Sequence, residues 1–266
     1  MIGAMAALAA IAPSQMPGDL VITPTKVVLD DRTRSGDITL VNRGSQTVRY
    51  RLTLVEMAMS EDGVLRRVPS DSNSAAGVLR LSPREILLEP GISQRIKIAA
   101  FLPKDLPEHE LRSHLAFEPI AIPKPQIRQQ TDLTQTLKLN FELRSVVTIP
   151  IVVRHGRLAA EATITDASVF QDAGGWMAGF RLVRAGARSI RGDVAISFIP
   201  DRGGPRVQVG QIVGLPVYFP NADRIVTVRL TRDVRSLGKG EIEISFVEPE
   251  RSRGAVTAKT VVKLPN

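Results

Sequence analysis

The chain has 266 residues and contains no cysteine. Without a thiol it can form no disulfide, no thiolate nucleophile and no zinc site with cysteine ligands. Aromatic residues are also scarce, at 4% of the total, so leucine, isoleucine and valine must fill most of the interior. The lack of cysteine says little about the compartment, since many exported proteins fold without disulfides.

The sequence also lacks any run of the roughly 20 apolar residues that a transmembrane helix needs. Its most apolar stretch, MIGAMAALAAIA, covers residues 1–12 and ends before Pro13. This stretch resembles the hydrophobic region and cleavage zone of a secretory signal, although a basic region before it is missing. We therefore expect residues 1–18 to be the remnant of a secretion signal; a short apolar tail is the alternative.

No long run of lysine and arginine accompanies the formal net charge of +8, because basic residues alternate with acidic or apolar ones. A nucleic-acid tail would need such a run, so we expect no nucleic-acid partner. A solvated basic surface and a groove that binds a partner are the two remaining interpretations.

Helical spacing of apolar residues is not sustained anywhere after residue 18, and the dominant period is two. The strictest example is Leu137, Leu139, Phe141 and Leu143, which alternate with polar residues. Such alternation is typical of a β-strand with one buried face. The sequence thus predicts an all-β protein.

Turn signals separate the predicted strands, and many short strands with regular turns favour β-sandwiches. The pattern restarts after Arg154-His155-Gly156, and domains commonly have about 100–150 residues. We therefore predict two immunoglobulin-like β-sandwich domains, residues 19–155 and 156–266, set at an angle around a cleft. The polar segment Pro123–Thr134 is interpreted as a long loop. Predicted turns lie at Asn42–Ser45, Glu61–Gly63, Glu89–Gly91, Asp172–Gly175, Asp201–Pro205, Pro220–Asp223 and Leu237–Gly240.

Motifs of an active site are missing as well. The three histidines, His109, His114 and His155, form no metal-binding spacing, and no nucleophile elbow, P-loop or dinucleotide fingerprint occurs. We interpret His114, within LRSHLAF, as a hydrogen-bonded structural histidine and not as a metal ligand. We expect no enzymatic activity, no metal and no cofactor.

Four segments in chain order carry motifs that are weak alone but together cover nearly all of residues 20–156. They are Leu20–Leu54 with its N-x-G turn, Leu79–Ile98 with SPREILLEPG, Leu106–Pro123 with LPEHELRSHLAF, and Leu137–Arg154 ending in TIPIVVR. Taken together, these segments resemble the PapD-like periplasmic chaperones of pilus assembly.

The resemblance implies a chaperone that completes an unfinished pilus or fimbrial subunit with its own strand, a form of β-augmentation. Such a donor strand needs every second side chain to be apolar, and Leu137, Leu139, Phe141 and Leu143 meet that requirement. The same four side chains could instead face the core of their own domain. The family also implies a periplasmic location, subunits and an outer-membrane usher as partners, and no stable membrane insertion.

The family further implies two basic residues that hold the subunit's C-terminal carboxylate in the cleft between the domains. The first falls on Lys26, where arginine is usual, and the second falls on Pro150, which has no N–H group to donate. Arg112 and Arg154 are alternative anchors, and for both an ordinary ion pair at a strand edge is the competing interpretation.

Two other classes of function remain open at this point. One is an immunoglobulin-like adhesion or scaffold module that uses loops or a flat face and donates no strand. The other is a hydrolase on a β-sandwich, which would require a pocket that unites His155 with two carboxylates.

Overall fold

The computed structural model describes residues 20–120, 146–249 and 257–264. These residues form 17 β-strands and one short 3-10 helix. The N-terminal segment 1–18, the loop predicted at Pro123–Thr134 and the four apolar residues of Leu137–Leu143 lie outside the described residues. Within the described part of the chain, no helix has the length and apolar character to cross a membrane.

The first ten strands form a sandwich of two sheets. One sheet has the order β1-β3-β8-β6 and the other β2-β10-β9-β4-β5, with β7 also paired to β4. Most neighbours are antiparallel, but β2 runs parallel to β10. The strands are β1 (Leu20–Thr23), β2 (Val27–Asp30), β3 (Ser35–Asn42), β4 (Val48–Met59), β5 (Leu65–Val68), β6 (Leu79–Ser82), β7 (Glu85–Leu88), β8 (Ser93–Ala100), β9 (His109–Ile120) and β10 (Val147–His155).

The remaining strands form a second sandwich, with sheets β11-β12-β15 and β14-β13-β16-β17. β10 ends at His155 and β11 begins at Ala160, where the two sets of strands meet; the division of the chain into two domains there stays a prediction. The strands are β11 (Ala160–Asp172), β12 (Gly175–Gly186), β13 (Ile190–Pro200), β14 (Val207–Val217), β15 (Asp223–Arg229), β16 (Gly240–Val247) and β17 (Thr257–Lys263), with the 3-10 helix at Val234–Leu237 before β16.

The prediction of an all-β fold of two sandwiches is confirmed. Alternating apolar residues occupy two separate buried clusters, one per sandwich, as period-two strands require. Ile38 pairs with Ile96 across β3 and β8 in the first, and Ile196 pairs with Ile244 in the second. All seven predicted turns lie where one element ends and the next strand begins, and several include the terminal residue of a strand.

The β4–β5 hairpin extends from the first sandwich into the second. Met59 belongs to the buried cluster of the second sandwich, and its carbonyl accepts a hydrogen bond from Asn221 Nδ2 at 2.7 Å. The carbonyl of Glu61 accepts the backbone N–H of Ile225 at the start of β15, also at 2.7 Å. The hairpin therefore fixes the two sandwiches against each other.

Candidate functional site

In the sheet that contains β2, β10, β9 and β4, strand β9 is buried on both faces from Glu110 to Phe117, with only Arg112 half-buried. Ile151 and Leu111 point into the first core. Side chains of the opposite parity face the second sandwich: Arg112 lies 4.2 Å from the Tyr218 ring centroid, and His114 contacts the same ring edge to face. The polar face of β9 thus forms part of the interface between the sandwiches.

Glu110 is the central polar group of this interface and is 1% exposed. Its Oε1 accepts hydrogen bonds from the backbone N–H of Ser189, at 2.9 Å, and from the Ser189 hydroxyl. Its Oε2 accepts the Nε–H of Arg154 at 2.8 Å. Arg154 also donates to the Ser189 carbonyl at 3.0 Å, so an ion pair within the first sandwich is hydrogen-bonded to the second.

Arg112, another predicted anchor candidate, has a different environment. Its guanidinium donates to the carbonyl of Met57 at 3.0 Å and stacks over Tyr218. Burial lowers the pKa of Arg112, and burial also raises the pKa of Tyr218. Arg112 is therefore a packed interface residue, away from the cavity that contains Lys26.

Lys26, immediately before β2, lies at a cavity of about 250 Å³ between the two sandwiches. Its pKa is lowered to about 8, first by burial and then by the charges of Arg154 and Arg191, against the opposing effect of Glu248 and Glu110. Among the described residues, no hydrogen bond or ion pair engages its ammonium group. The cavity is lined by Pro24, Thr25, Lys26, Arg191, Gly192, Asp193, Gly214 and Pro249.

The parallel pairing of β2 with β10 places Pro150 beside Lys26. Ile151 pairs with Val27, and Pro150 and Lys26 immediately precede these two residues. The position where the family pattern expects a lysine thus holds a buried proline next to the predicted first anchor. No cation at this point of β10 accompanies Lys26.

Arg191 of β13 lines the same cavity, and the sequence analysis did not single it out. A bulge places it there: two residues of β14 oppose one of β13 between the pairs Gly192–Leu215 and Val194–Ile212. The bulged Gly214 has φ +68°, and its carbonyl accepts Arg191 Nε–H at 2.9 Å. The glycine inside the apolar run QIVGLPV was the available signal, because a glycine within a strand often marks a bulge.

Gly214→Ala is expected to lower the free energy of unfolding by about 2 kcal/mol, from the positive φ and from a steric clash. A Cβ there would approach Arg191 Nη2 to 2.9 Å. Urea denaturation measures the change. The matched control is Gly203→Ala, where φ is +76° but no atom lies within 4 Å, and which should cost about 1 kcal/mol. Equal losses in the two variants would contradict the packing of Arg191 on Gly214.

The residues predicted to form a donor strand, Leu137, Leu139, Phe141 and Leu143, lie outside the described residues. The strand that follows them, β10, is paired on only one side at its start, as far as the described strands show. β10 pairs with β9 along its whole length but with β2 only from Ile151 to Arg154. Among the described strands, none pairs with the outer edge of residues 147–150, and such an edge can accept a further strand.

The pocket required by the hydrolase hypothesis is not found in the described parts of the chain. His155 Nδ1 is 2.6 Å from Asp31 Oδ1, and the same carboxylate accepts the backbone N–H of Gly156. These two bonds lower the pKa of Asp31, with the Gly156 amide the larger cause. Among these residues no group of three histidine, aspartate or glutamate side chains is placed to hold a metal ion.

No family model matches the sequence, and no curated protein matches it. The fold is similar to solved structures of fimbrial chaperones, the class that the sequence motifs resemble. The YadV chaperone has a TM-score of 0.47 and 15% identity, with 92% of this chain and 100% of that chain covered.

Two further chaperones give similar values. The CsuC–CsuE chaperone–tip adhesion subunit complex of Acinetobacter baumannii has a TM-score of 0.46 and 11% identity, covering 90% of this chain and 97% of that chain. The E. coli chaperone DraB has a TM-score of 0.45 and 14% identity, covering 92% and 96%. Since every one of these TM-scores is below 0.5, a function for this chain has to rest on its motifs and on its interface.

Proposed function

We propose that this chain is a periplasmic chaperone that binds pilus or fimbrial subunits by strand donation and delivers them to an outer-membrane usher. The observation that carries the proposal is the outer edge at the start of β10, with which no described strand pairs, and the position of Lys26 at a cavity next to this edge. This edge directly follows the four alternating apolar residues that the sequence predicts to be the donor strand. A strand edge, apolar side chains and a cation are what an incomplete β-sandwich with a free C-terminus needs.

The alternation of buried side chains along β10 is consistent with this proposal. Its odd-numbered residues Ile149, Ile151 and Val153 are buried in the first core, and Leu137–Leu143 carry apolar residues at odd positions too. A strand with unbroken alternation would present these residues on the core side of the sheet, where a subunit groove would continue the sandwich. Burial of four such side chains is worth on the order of 6–12 kcal/mol before the entropy cost of binding.

Lys26 is proposed as an anchor for the C-terminal carboxylate of the bound subunit. Its ammonium group has no partner among the described residues, whereas Arg154 is bonded to Glu110 and Arg112 to Met57. A carboxylate that entered the cavity would meet a partly desolvated cation, where an ion pair is stronger than at an exposed surface.

Leu139→Glu or Phe141→Glu should weaken the complex with a co-expressed cognate subunit by at least about 100-fold, because a charge would enter an apolar groove. Co-purification and titration calorimetry measure the complex. The matched control is Leu87→Glu, at a leucine that is 53% exposed on β7, and it should bind normally.

Normal binding by the Leu139 and Phe141 variants would show that the donor-strand assignment is wrong. If these variants instead failed to fold, the four side chains would belong to the core of the first sandwich, as in an adhesion or scaffold module. Circular dichroism and thermal unfolding of the purified variants separate these outcomes from a loss of binding alone.

A further inference from the structure

The charges around the cavity do not balance within the described residues. Arg154 is paired with Glu110, and Arg188 is paired with Glu248 at 2.9 Å with both side chains under 5% exposed. Lys26 and Arg191 remain. Asp193 also lines the cavity and keeps its negative charge while its Oδ1 accepts the backbone N–H of Gly214 at 2.7 Å, so two cations face one anion there.

We propose that Arg191, from the second sandwich, is the second cation of the carboxylate site, so that one carboxylate binds between Lys26 and Arg191. The position beside Lys26 on β10 is Pro150, which supplies neither a charge nor an N–H group. Arg191 lines the cavity and supplies what Pro150 lacks. The site is then shared by the two sandwiches instead of lying on the first sandwich alone.

The hydrogen bonds that Arg191 makes with the described residues do not use the terminal nitrogens of its guanidinium group, which could therefore bind a carboxylate. Its Nε–H is donated to the Gly214 carbonyl and its backbone N–H to Glu248 Oε1 at 3.0 Å, which fixes the side chain. Its terminal nitrogens, Nη1 and Nη2, make no hydrogen bond with any residue that the structure describes. A planar guanidinium held in this way can bind both oxygens of a carboxylate, while Lys26 adds a point charge.

This role rests on the proposed function, since the carboxylate would be the C-terminus of the bound subunit. The chemistry can still be tested without any subunit. Acetate is titrated into the full chain at pH 7 and constant ionic strength, and the Lys26 ammonium and Arg191 Nε–H signals are followed by NMR. Acetamide, which has the same size but no charge, serves as the neutral probe.

Acetate should shift both signals with one dissociation constant, and acetamide should shift neither. Arg191→Gln, which can still donate a hydrogen bond, should weaken acetate binding about tenfold. Arg229→Gln removes the same charge from an exposed position on β15 that does not line the cavity, and it should leave the affinity unchanged.

The proposal is overturned if acetate fails to shift the two signals, if Arg191→Gln binds acetate normally, or if Arg229→Gln weakens binding equally. Subunit binding by the Leu139→Glu variant is a separate readout. Loss of acetate binding in Arg191→Gln together with normal subunit capture by Leu139→Glu would support the site and contradict strand donation. The opposite pair of results would support strand donation and contradict the role of Arg191.

Discussion

Replacement of Glu110 by glutamine is expected to lower the free energy of unfolding by about 3 kcal/mol, because breaking a buried ion pair leaves an uncompensated charge. The carboxylate accepts two hydrogen bonds from Ser189 and one from Arg154. An amide can accept through only one oxygen, and its NH2 group would face the donor of Arg154 or of Ser189. The hydrogen bonds that are lost include contacts between the sandwiches, because Ser189 belongs to the second sandwich.

Urea denaturation, followed by far-UV circular dichroism and by the fluorescence of Trp176, measures this loss. Trp176 is the only tryptophan and is buried in the second core, so its fluorescence reports on that sandwich. The control is Glu85→Gln, which removes an exposed carboxylate paired with Arg49 and Arg51 and should cost less than about 1 kcal/mol. A loss in Glu110→Gln no larger than in the control would contradict the assigned interface.

Glu110 shows that the sequence pattern predicts the strand but not the contact between the sandwiches. In ELRSHLAF, a period of two places Leu111 and Leu115 on one face of the strand and Glu110, Arg112 and His114 on the other. The period is right, and Leu111 and Leu115 do face the first core. The second sandwich covers the polar face, however, and nothing in a period of two distinguishes a face toward water from a face toward another domain.

In the candidate site, too, one residue could be predicted from the sequence and the other could not. Lys26 was predicted from the family motif and lies at a cavity, whereas Arg191 was not predicted. Arg191 reaches the cavity through a bulge at Gly214 and through contact between sandwiches that are far apart in sequence. The alternation of Ile38, Leu40, Ile96 and Ile98 predicts strands because that signal is local, but pairing between two sheets is set by tertiary contacts.

Acid is expected to destabilise the protein by about 3 kcal/mol between pH 7.5 and pH 4 through His114 alone. Burial, followed by the charge of Arg112, lowers the pKa of His114 from 6.5 to about 4. In the unfolded chain this histidine therefore binds a proton below pH 6.5, whereas its imidazole in the folded protein stays neutral until about pH 4. Protonation favours the unfolded chain throughout that window, so this contribution is complete above pH 6.5 and is lost as the pH falls.

His114→Leu should remove this acid sensitivity with little cost at pH 7.5. The hydrogen bonds expected of His114 are not found: both ring nitrogens are buried without a partner among the described residues. An apolar side chain therefore sacrifices only the edge contact with Tyr218. Urea denaturation at pH 7.5, 6, 5 and 4 gives the difference in free energy of unfolding between the parent and His114→Leu. The effects of acid-sensitive carboxylates such as Asp31 are common to both proteins and cancel in this difference. His155→Gln, at the other end of the interface strands, should keep the full loss. If the free energy of unfolding of His114→Leu fell with pH as steeply as that of the parent, the prediction would be wrong. Another group would then cause the loss of stability in acid.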